Sequence, residues 1–385
     1  MEDFLLLDQH LTAPERAVRD KVRAFVREKV IPKMAHAFED AIFMREFIKD
    51  YAELGLLGMT LPHKYGGGAA DYISYGLACQ ELEYGDSSLR SFFSVQNSLC
   101  MYPIMQFGTE EQKQEWLPKM ATGEVVGCFG LSEINAGSDP ASLETAATKT
   151  SSGWELNGSK KWITNAPIAD VALIWAKTTN GIQCFLVHKD TPGFKVKTIE
   201  HKMSLRTSIT GEIFLEACKI PEGNYLPGTS KGIVAALECL TQARYGIAWG
   251  AIGAAIACFD VALEYCKTRK QFGKPLASFQ LVQKELAEMF TEINKAQCLN
   301  LQVGRLKDAG TSNFAVVSMA KMNACKQALH VARTARDLLG ANGITLEYPV
   351  IRHMQNLEAV STYEGTDNIH HLILGKHLTG ISALE

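Results

Sequence analysis

Trp154-Glu-Leu-Asn-Gly-Ser-Lys-Lys-Trp-Ile-Thr164 is the stretch on which the fold turns. Asn157-Gly158 suits the left-handed centre of a tight turn, and Trp154-Glu-Leu156 and Trp162-Ile-Thr164 flank it with strand character. The segment therefore predicts a β-hairpin. Its neighbours agree: Val171-Ala-Leu-Ile-Trp-Ala176 and Ile182-Gln-Cys-Phe-Leu-Val187 are apolar β-like runs joined through Thr178-Thr-Asn-Gly181. Glu212-Ile-Phe-Leu215 completes a small, mostly antiparallel unit. Six of the 12 prolines lie between Pro118 and Pro227, and only Pro275 and Pro349 follow. Frequent proline favours strands and turns in this region, and long proline-free reaches favour helices outside it.

Both flanks read as helical. Thr12-Ala-Pro-Glu15 combines a cap, an early proline and a returning glutamate. Val18, Val22, Phe25 and Val26 then mark one face, with Pro32 as the expected stop. Residues 44–56 and 72–84 predict two more helices, separated by a turn at Gly66-Gly67-Gly68. Beyond the β unit, Val282, Leu286, Met289, Ile293 and Ala296 step by fours and threes, the seam of helices packed on helices. Gly246, Gly250 and Gly253 in a helical stretch suit close approach of a neighbouring helix. The expected fold class is α+β: an N-terminal helical domain (1–117), a middle antiparallel β domain (118–230) and a C-terminal four-helix bundle (231–385). There is no strand–GxGxxG–helix unit and no GxxxxGK[ST], so a cofactor needs some other cradle.

Composition narrows the partners. The 385 residues carry a net charge of −3 with no Lys/Arg block, which argues against nucleic acid and anionic membranes. The 10 cysteines are scattered singly, without CxxC or zinc-type spacing, so no metal is expected and the thiols read as small core residues in a reducing compartment. Met1-Glu-Asp-Phe-Leu-Leu-Leu-Asp8 is too acidic and short for a secretory or transit peptide, and no apolar run is expected to span a membrane. The closing Ser382-Ala-Leu-Glu385 is no peroxisomal address. A bacterial cytoplasmic protein is expected; a processed mitochondrial matrix form reads the same way.

Two stretches could carry chemistry. In Ser361-Thr-Tyr-Glu-Gly-Thr-Asp-Asn-Ile-His370, Thr366 or Asp367 caps a terminal helix, leaving Glu364 in the turn before it beside a glycine. Glu364 is either a general base or a solvated loop carboxylate. Gly127-Cys-Phe-Gly-Leu-Ser-Glu-Ile-Asn-Ala-Gly-Ser-Asp139 is a strand edge followed by a hydroxyl-rich turn, a cradle for an anionic or flat ligand or simply a turn.

Together these pieces resemble the acyl-CoA dehydrogenases over essentially the whole chain. The likeness is strongest in Ser94-Val-Gln-Asn-Ser98, Ala243-Arg-Tyr-Gly-Ile-Ala-Trp-Gly250, Arg269-Lys-Gln-Phe-Gly273 and Tyr363-Glu-Gly-Thr366, and within the family it points to the glutaryl-CoA branch. The resemblance implies an FAD flavoprotein that removes an α-proton from an acyl-CoA and passes a β-hydride to the flavin. Glu364 matches the base, and its backbone N–H matches one of two donors on the thioester oxygen, an oxyanion hole in function. Phe129, Leu131, Ser132, Ser138, Trp162, Ile163 and Thr164 match the flavin cradle, and Thr366 and Asn368 match contacts near the base. Arg269, Phe272, Gln280, Leu339, Gly340 and Gly343 match positions that reach a neighbouring subunit's FAD, implying a homotetramer. Ser132-Glu-Ile stands where the family has Thr-Glu-Pro, and Asp367-Asn368 where glutaryl enzymes have His-Asp.

The same resemblance places the CoA thioester along Ser138 and Arg244 and implies an electron-transfer flavoprotein as acceptor. In the glutaryl branch, which serves lysine and tryptophan degradation, the match to Arg90 binds the distal carboxylate, with Ser91, Glu83 and Tyr363 in the same cavity. Arg suits that task through its planar two-donor fork; an internal Arg90–Glu83 pair is the structural alternative. Oxidation followed by loss of CO₂ then yields crotonyl-CoA. A short-chain dehydrogenase or oxidase for uncharged chains, a non-decarboxylating enzyme and a non-catalytic flavoprotein or acyl-CoA-binding module stay open.

Overall fold

In the computed structural model, residues 1–383 are described; Leu384 and Glu385 of the closing tetrapeptide lie outside the described residues. The reciprocal cap forms as expected: Thr12 accepts from the Glu15 N–H, Glu15 accepts from the Thr12 N–H, and α1 (Ala13–Phe25) begins there. Pro32 does not stop the helix. A π-helical turn, Val26–Val30, carries the chain into α2 (Ile31–Glu39), and Pro32 falls in its first turn, where a missing N–H costs little. α3 (Phe47–Glu53), α4 (Tyr72–Gly85) and α5 (Ser87–Ser94) follow, the last two capped by Asp71 and Asp86. A second π turn, Val95–Met101, joins α5 to α6 (Tyr102–Phe107), and α7 (Glu110–Ala121) holds Pro118 in its interior rather than in a turn.

The middle sheet comprises β1 (Gly127–Gly130), β2 (Ala146–Thr150), β3 (Gly153–Thr164), β4 (Val171–Thr178), β5 (Gly181–His188), β6 (Phe194–Thr198) and β7 (Thr210–Pro221). It is mostly antiparallel, as expected, with two parallel pairings. β5 pairs antiparallel along all of β4, whereas β1, entering from the helices on the same heading as β4, pairs with it in parallel, as does the first residue of β2. The expected hairpin at Asn157-Gly158 is absent, because β3 runs straight through it. Leu156 faces Cys218 and Gly158 faces Leu215, so Asn157 opposes two β7 residues, and its side-chain oxygen accepts from the Ala217 N–H at 2.8 Å. Asn-Gly serves a bulge here: Ala217 sits at φ +50° and Gly158 at φ +146°. The hairpin turn lies earlier, between Thr150 and Gly153, and the expected turn at Thr178–Gly181 forms.

The C-terminal helices are α8 (Ile233–Thr268), α9 (Gln280–Asp308), α10 (Phe314–Leu338), α11 (Val350–Thr362) and α12 (Asp367–Thr379), with β8 (Lys270–Gln271) and β9 (Lys274–Pro275) forming a small hairpin between α8 and α9. On α9, Leu286, Met289, Ile293 and Ala296 are buried as the seam predicts, while Val282 at its start is half-buried. α8 overturns the expectation about membrane-spanning runs. Its 36 residues include an 18-residue window of mean hydropathy 1.8, long and apolar enough to cross a membrane. That window is 83% buried inside the fold, because α8 is the core helix packed on α4, α9, α10 and α11. Gly246, Gly250 and Gly253 let α4 and α5 approach it: a Cβ at Gly253 would overlap the Gln80 carbonyl, and one at Gly250 the Glu83 carboxylate. Nine cysteines are buried thiols; Cys298 is exposed, contrary to expectation.

Candidate active site

α11 ends at Thr362, and Thr366 caps α12 by accepting from the Ile369 N–H, so Tyr363, Glu364 and Gly365 form a tight link between two helices. Glu364 lies in the left-handed region at φ +56°, a strained conformation for a side-chain-bearing residue, and Gly365 at φ +100°. Three consecutive carbonyls in this link are held by cations. The Lys321 Nζ donates to the Tyr363 carbonyl at 2.7 Å and the Gly365 carbonyl at 2.6 Å, and the Arg244 Nε donates to the Glu364 carbonyl at 2.7 Å. Any Cβ on Gly365 would lie 3.1 Å from the His370 Nε2 and 3.2 Å from the Arg244 guanidinium, a second reason for glycine there.

The Glu364 Oε2 is sealed from solvent and has no hydrogen-bond partner. Burial raises its pKa above the ordinary carboxylate value, against the opposing pull of Arg90, Lys321 and Arg244. A half-buried carboxylate with one sealed, unpartnered oxygen and a raised pKa, at a strained turn, has the properties of a general base.

Arg90, on α5, and Glu83, on α4, are 1% and 0% exposed and pair through the Arg90 Nε at 2.6 Å. The guanidinium also donates to the Tyr363 hydroxyl and sits 5.5 Å from the centre of that ring. Burial raises the pKa of Glu83, with Arg90 opposing, and the Glu83 Oε1 has no partner. Gly250 on α8 leaves the room this pair occupies. Ser91 is buried beside Arg90 on α5.

Two networks fix α5. At its start Asp86 accepts from the Ser88 N–H, from Arg352 at 2.5 Å and from Asn356 at 2.8 Å, tying it to α11. Just past its end Gln96 donates to the Val125 carbonyl and accepts from the Gly127 N–H, tying the π turn to β1. Sequence reasoning missed Lys321, Gln96 and Asp86. The sign for Lys321 was available: it shares a helical face with Val317, Ala324, Cys325 and Ala328, all buried.

β1 delivers Phe129 and then Leu131, both buried, followed by half-buried Ser132. The Ser132 carbonyl accepts from the Lys161 N–H at 2.9 Å, which sets this loop against β3. There β3 slips register again between Lys160 and Ile163, and Trp162, at φ +63°, stays 60% exposed. Ile163 is buried and Thr164 half-buried. Beneath the loop, buried Lys160 donates to the Leu131 carbonyl at 3.1 Å and to Glu133 at 2.7 Å, burial lowering its pKa to about 8. An exposed indole on a strained backbone, beside a hydroxyl and an apolar edge, fits the ring system of FAD. Ser138 is exposed in the turn beyond.

The remaining matched positions lie elsewhere. Arg269, Phe272 and Gln280 are exposed around the β8–β9 hairpin, Phe272 at 93%. Arg244 and Arg269 are 25 residues apart along or at the end of α8, roughly 37 Å at 1.5 Å per residue. The Leu339–Gly343 segment joins the hairpin end of the bundle, since Asn342 donates to the Tyr265 hydroxyl at 3.0 Å. Leu339 and Gly343 are buried and Gly340 is exposed at φ +60°. Asn368 is exposed on the first turn of α12. The structure thus unites Glu364, Tyr363, Arg90, Glu83 and Arg244, and separately Ser132 with Trp162. Arg244 is no surface residue: it is buried, with one nitrogen committed to the Glu364 carbonyl.

Family models describing the N-terminal, middle and C-terminal domains of acyl-CoA dehydrogenase match residues 12–124, 128–218 and 230–379. The chain is 34% identical over 377 residues to the short-chain specific acyl-CoA dehydrogenase, mitochondrial, of Rattus norvegicus, covering 96% of this chain and 92% of that protein. The crystal structure of glutaryl-CoA dehydrogenase from Mycobacterium smegmatis superposes with a TM-score of 0.98 at 49% identity, covering 100% of this chain and 99% of that one. A glutaryl-CoA dehydrogenase from the same organism in complex with FADH2 gives 0.98 at 46% identity, with the same coverage.

Proposed function

The chain belongs to the acyl-CoA dehydrogenase family, and from that premise we propose that it oxidises glutaryl-CoA and decarboxylates the product to crotonyl-CoA and CO₂. One observation carries the choice of substrate: Arg90, a buried cation, is hydrogen-bonded to Tyr363, the residue just before Glu364. A five-carbon acyl chain with its α-carbon at Glu364 then brings its distal carboxylate to Arg90. Higher identity to the two Mycobacterium smegmatis glutaryl-CoA dehydrogenases (49% and 46%) than to the short-chain enzymes (34% and 36%) supports the same reading, while the glutaryl-CoA dehydrogenase in complex with glutaryl-CoA, at 33%, does not separate them.

FAD, when bound, supplies the acceptor for the β-hydride. Phe129, Leu131, Ser132 and Trp162 to Thr164 hold its ring system. Arg269, Phe272, Gln280 and the Leu339–Gly343 segment serve the FAD of a neighbouring subunit in a homotetramer; their distance from Arg244 along α8 supports this. Glu364 removes the α-proton, and its own backbone N–H steadies the negative charge that develops on the thioester oxygen. Loss of CO₂ from the enoyl thioester then drives electrons into the conjugated carbonyl, held by the same donor. Protonated Glu364 returns its proton to the resulting dienolate. Arg244 and Ser138 border the CoA side. An electron-transfer flavoprotein reoxidises the enzyme, and the buried free thiols support a reducing compartment, the bacterial cytoplasm or a mitochondrial matrix.

A second reading, a short-chain enzyme for uncharged acyl groups, is favoured by the pairing of Arg90 with Glu83, which satisfies the cation without substrate. Anaerobic mixing of the FAD-loaded protein with glutaryl-CoA and butyryl-CoA separates the two. Glutaryl-CoA should bleach the flavin at least about tenfold faster and release CO₂, and Glu364→Gln should keep FAD while losing nearly all bleaching. Equal rates with both thioesters refute the substrate assignment, and an active Glu364→Gln refutes the base.

A further inference from the structure

We propose that Lys321 is a positioning residue for the base: its ammonium spans the carbonyls of Tyr363 and Gly365, holds Glu364 in its left-handed conformation and keeps a fixed positive charge beside the carboxylate. The proposal rests on the reading of Glu364 as the base.

Lys321 is 1% exposed on α10, among Val317, Ala324, Cys325 and Ala328. Burial pulls the Lys321 pKa down, so its ammonium needs compensation, and here that comes from two carbonyls on either side of one residue, at 2.7 and 2.6 Å. Those bonds fix the peptide plane that enters Glu364 and the one that leaves Gly365. Arg244 holds only the carbonyl between them. Glu364 has a positive φ that L-residues avoid, so a turn released from Lys321 relaxes toward ordinary backbone and swings the carboxylate away. A single nitrogen with donors in several directions can bridge carbonyls i and i+2 across so tight a turn.

The charge matters as well. Facing the link are Arg244 from α8, Arg90 from α5 with Glu83 from α4, Cys325 beside Lys321 on α10, Tyr363 itself, and Asp367 and His370 on α12. Glu83 is already paired with Arg90, and burial lowers the His370 pKa to about 3, leaving it neutral. Lys321 and Arg244 are thus the cations not already matched to a carboxylate partner in this cluster. Removing Lys321 makes the Glu364 anion harder to form and shifts its titration to higher pH.

The test uses Lys321→Met and Lys321→Gln as FAD-loaded proteins, with Glu364→Gln as reference. Two readouts are compared: the acid limb of the pH profile for anaerobic flavin bleaching, and the Glu364 carboxyl band in infrared difference spectra against Glu364→Gln, which needs no turnover. Lys321→Met should shift both titrations upward by about one pH unit and slow bleaching about 10- to 100-fold at neutral pH, with KM changed less than about threefold. Lys321→Gln, which keeps a donor but not the charge, should recover part of the rate yet show the same shift. If Lys321→Met does not fold, the Gln variant decides alone. Titrations and rates within about twofold of wild type in the folded variants overturn the proposal. An active Glu364→Gln instead removes the base reading beneath it, so the two failures are distinct.

Discussion

Removing Arg90 alone, and removing it together with Glu83, separates a structural ion pair from a substrate anchor. Arg90→Met leaves the Glu83 carboxylate 0% exposed, with neither oxygen partnered by a cation. Stranding one member of a buried pair costs about 3–5 kcal/mol, and the raised Glu83 pKa, which lets the acid take up a proton, puts the expectation near the lower figure. The double variant Arg90→Met/Glu83→Gln removes both charges at similar volume and should return to within about 1–2 kcal/mol of wild type, the Tyr363 hydroxyl losing its partner. Catalysis should not recover with it. Two charge-assisted hydrogen bonds to a distal carboxylate, at about 1.5 kcal/mol each, amount to roughly 100-fold in the ratio of kcat/KM for glutaryl-CoA over butyryl-CoA. Urea unfolding reads the first quantity and anaerobic stopped-flow bleaching with both thioesters the second. A double variant that is stable and still prefers glutaryl-CoA refutes the anchor, leaving Arg90–Glu83 a purely structural pair.

Two further outcomes are expected. Burial tends to raise the Asp86 pKa, but Arg352, His353 and the Ser88 N–H outweigh it and hold it below the ordinary value. A depressed carboxylate contributes stability present above the unfolded pKa of 3.8 and lost as pH falls through the folded one, so Asp86→Asn should lose about 3 kcal/mol at neutral pH and show a shallower acid decline in thermal melts; an unchanged decline contradicts this. Trp162→Ala should leave apoprotein stability within about 0.5 kcal/mol, because the ring is largely exposed, yet lower FAD occupancy after dialysis; full occupancy, read as flavin absorbance per chain, refutes its place in the cradle.

Much of this was legible in the sequence because it depends on local chemistry. The Thr12 capping box, the α9 seam, the Thr178–Gly181 turn and the Thr366 cap each need only residues within a few positions, and each formed. Asn157-Gly158 misled because left-handed backbone serves a bulge as well as a hairpin turn; which one forms depends on β7, more than 50 residues away. Pro32 misled for a similar reason, since a π turn reorganises the hydrogen bonds just upstream of it. α8 was passed over as a membrane-length run because Glu238, Arg244, Asp260 and Glu264 interrupt its apolar stretch. In the fold its glycines let α4 lie against it.

The site was half legible for a related reason. Glu364 stands out through the family resemblance more than through its own context, and Arg90 and Glu83 through the resemblance rather than residue type, but what brings them together is distant in sequence. Asp86 caps the helix that carries Arg90 and simultaneously binds Arg352 and Asn356 on the helix that ends at Tyr363. Asn356 in turn accepts from the Leu205 N–H at 2.7 Å, a residue between β6 and β7. One buried carboxylate and one buried amide thus join the helix bearing the proposed anchor, the helix leading to the proposed base, and the β domain. A shift of α5 against α11 would change the reach from Glu364 to Arg90 and would have to break this network first. The distance between the proposed base and the proposed anchor, and with it the acyl length the proposed site would accept, is therefore set by the same buried contacts, which is why no single motif in the sequence could reveal the spacing.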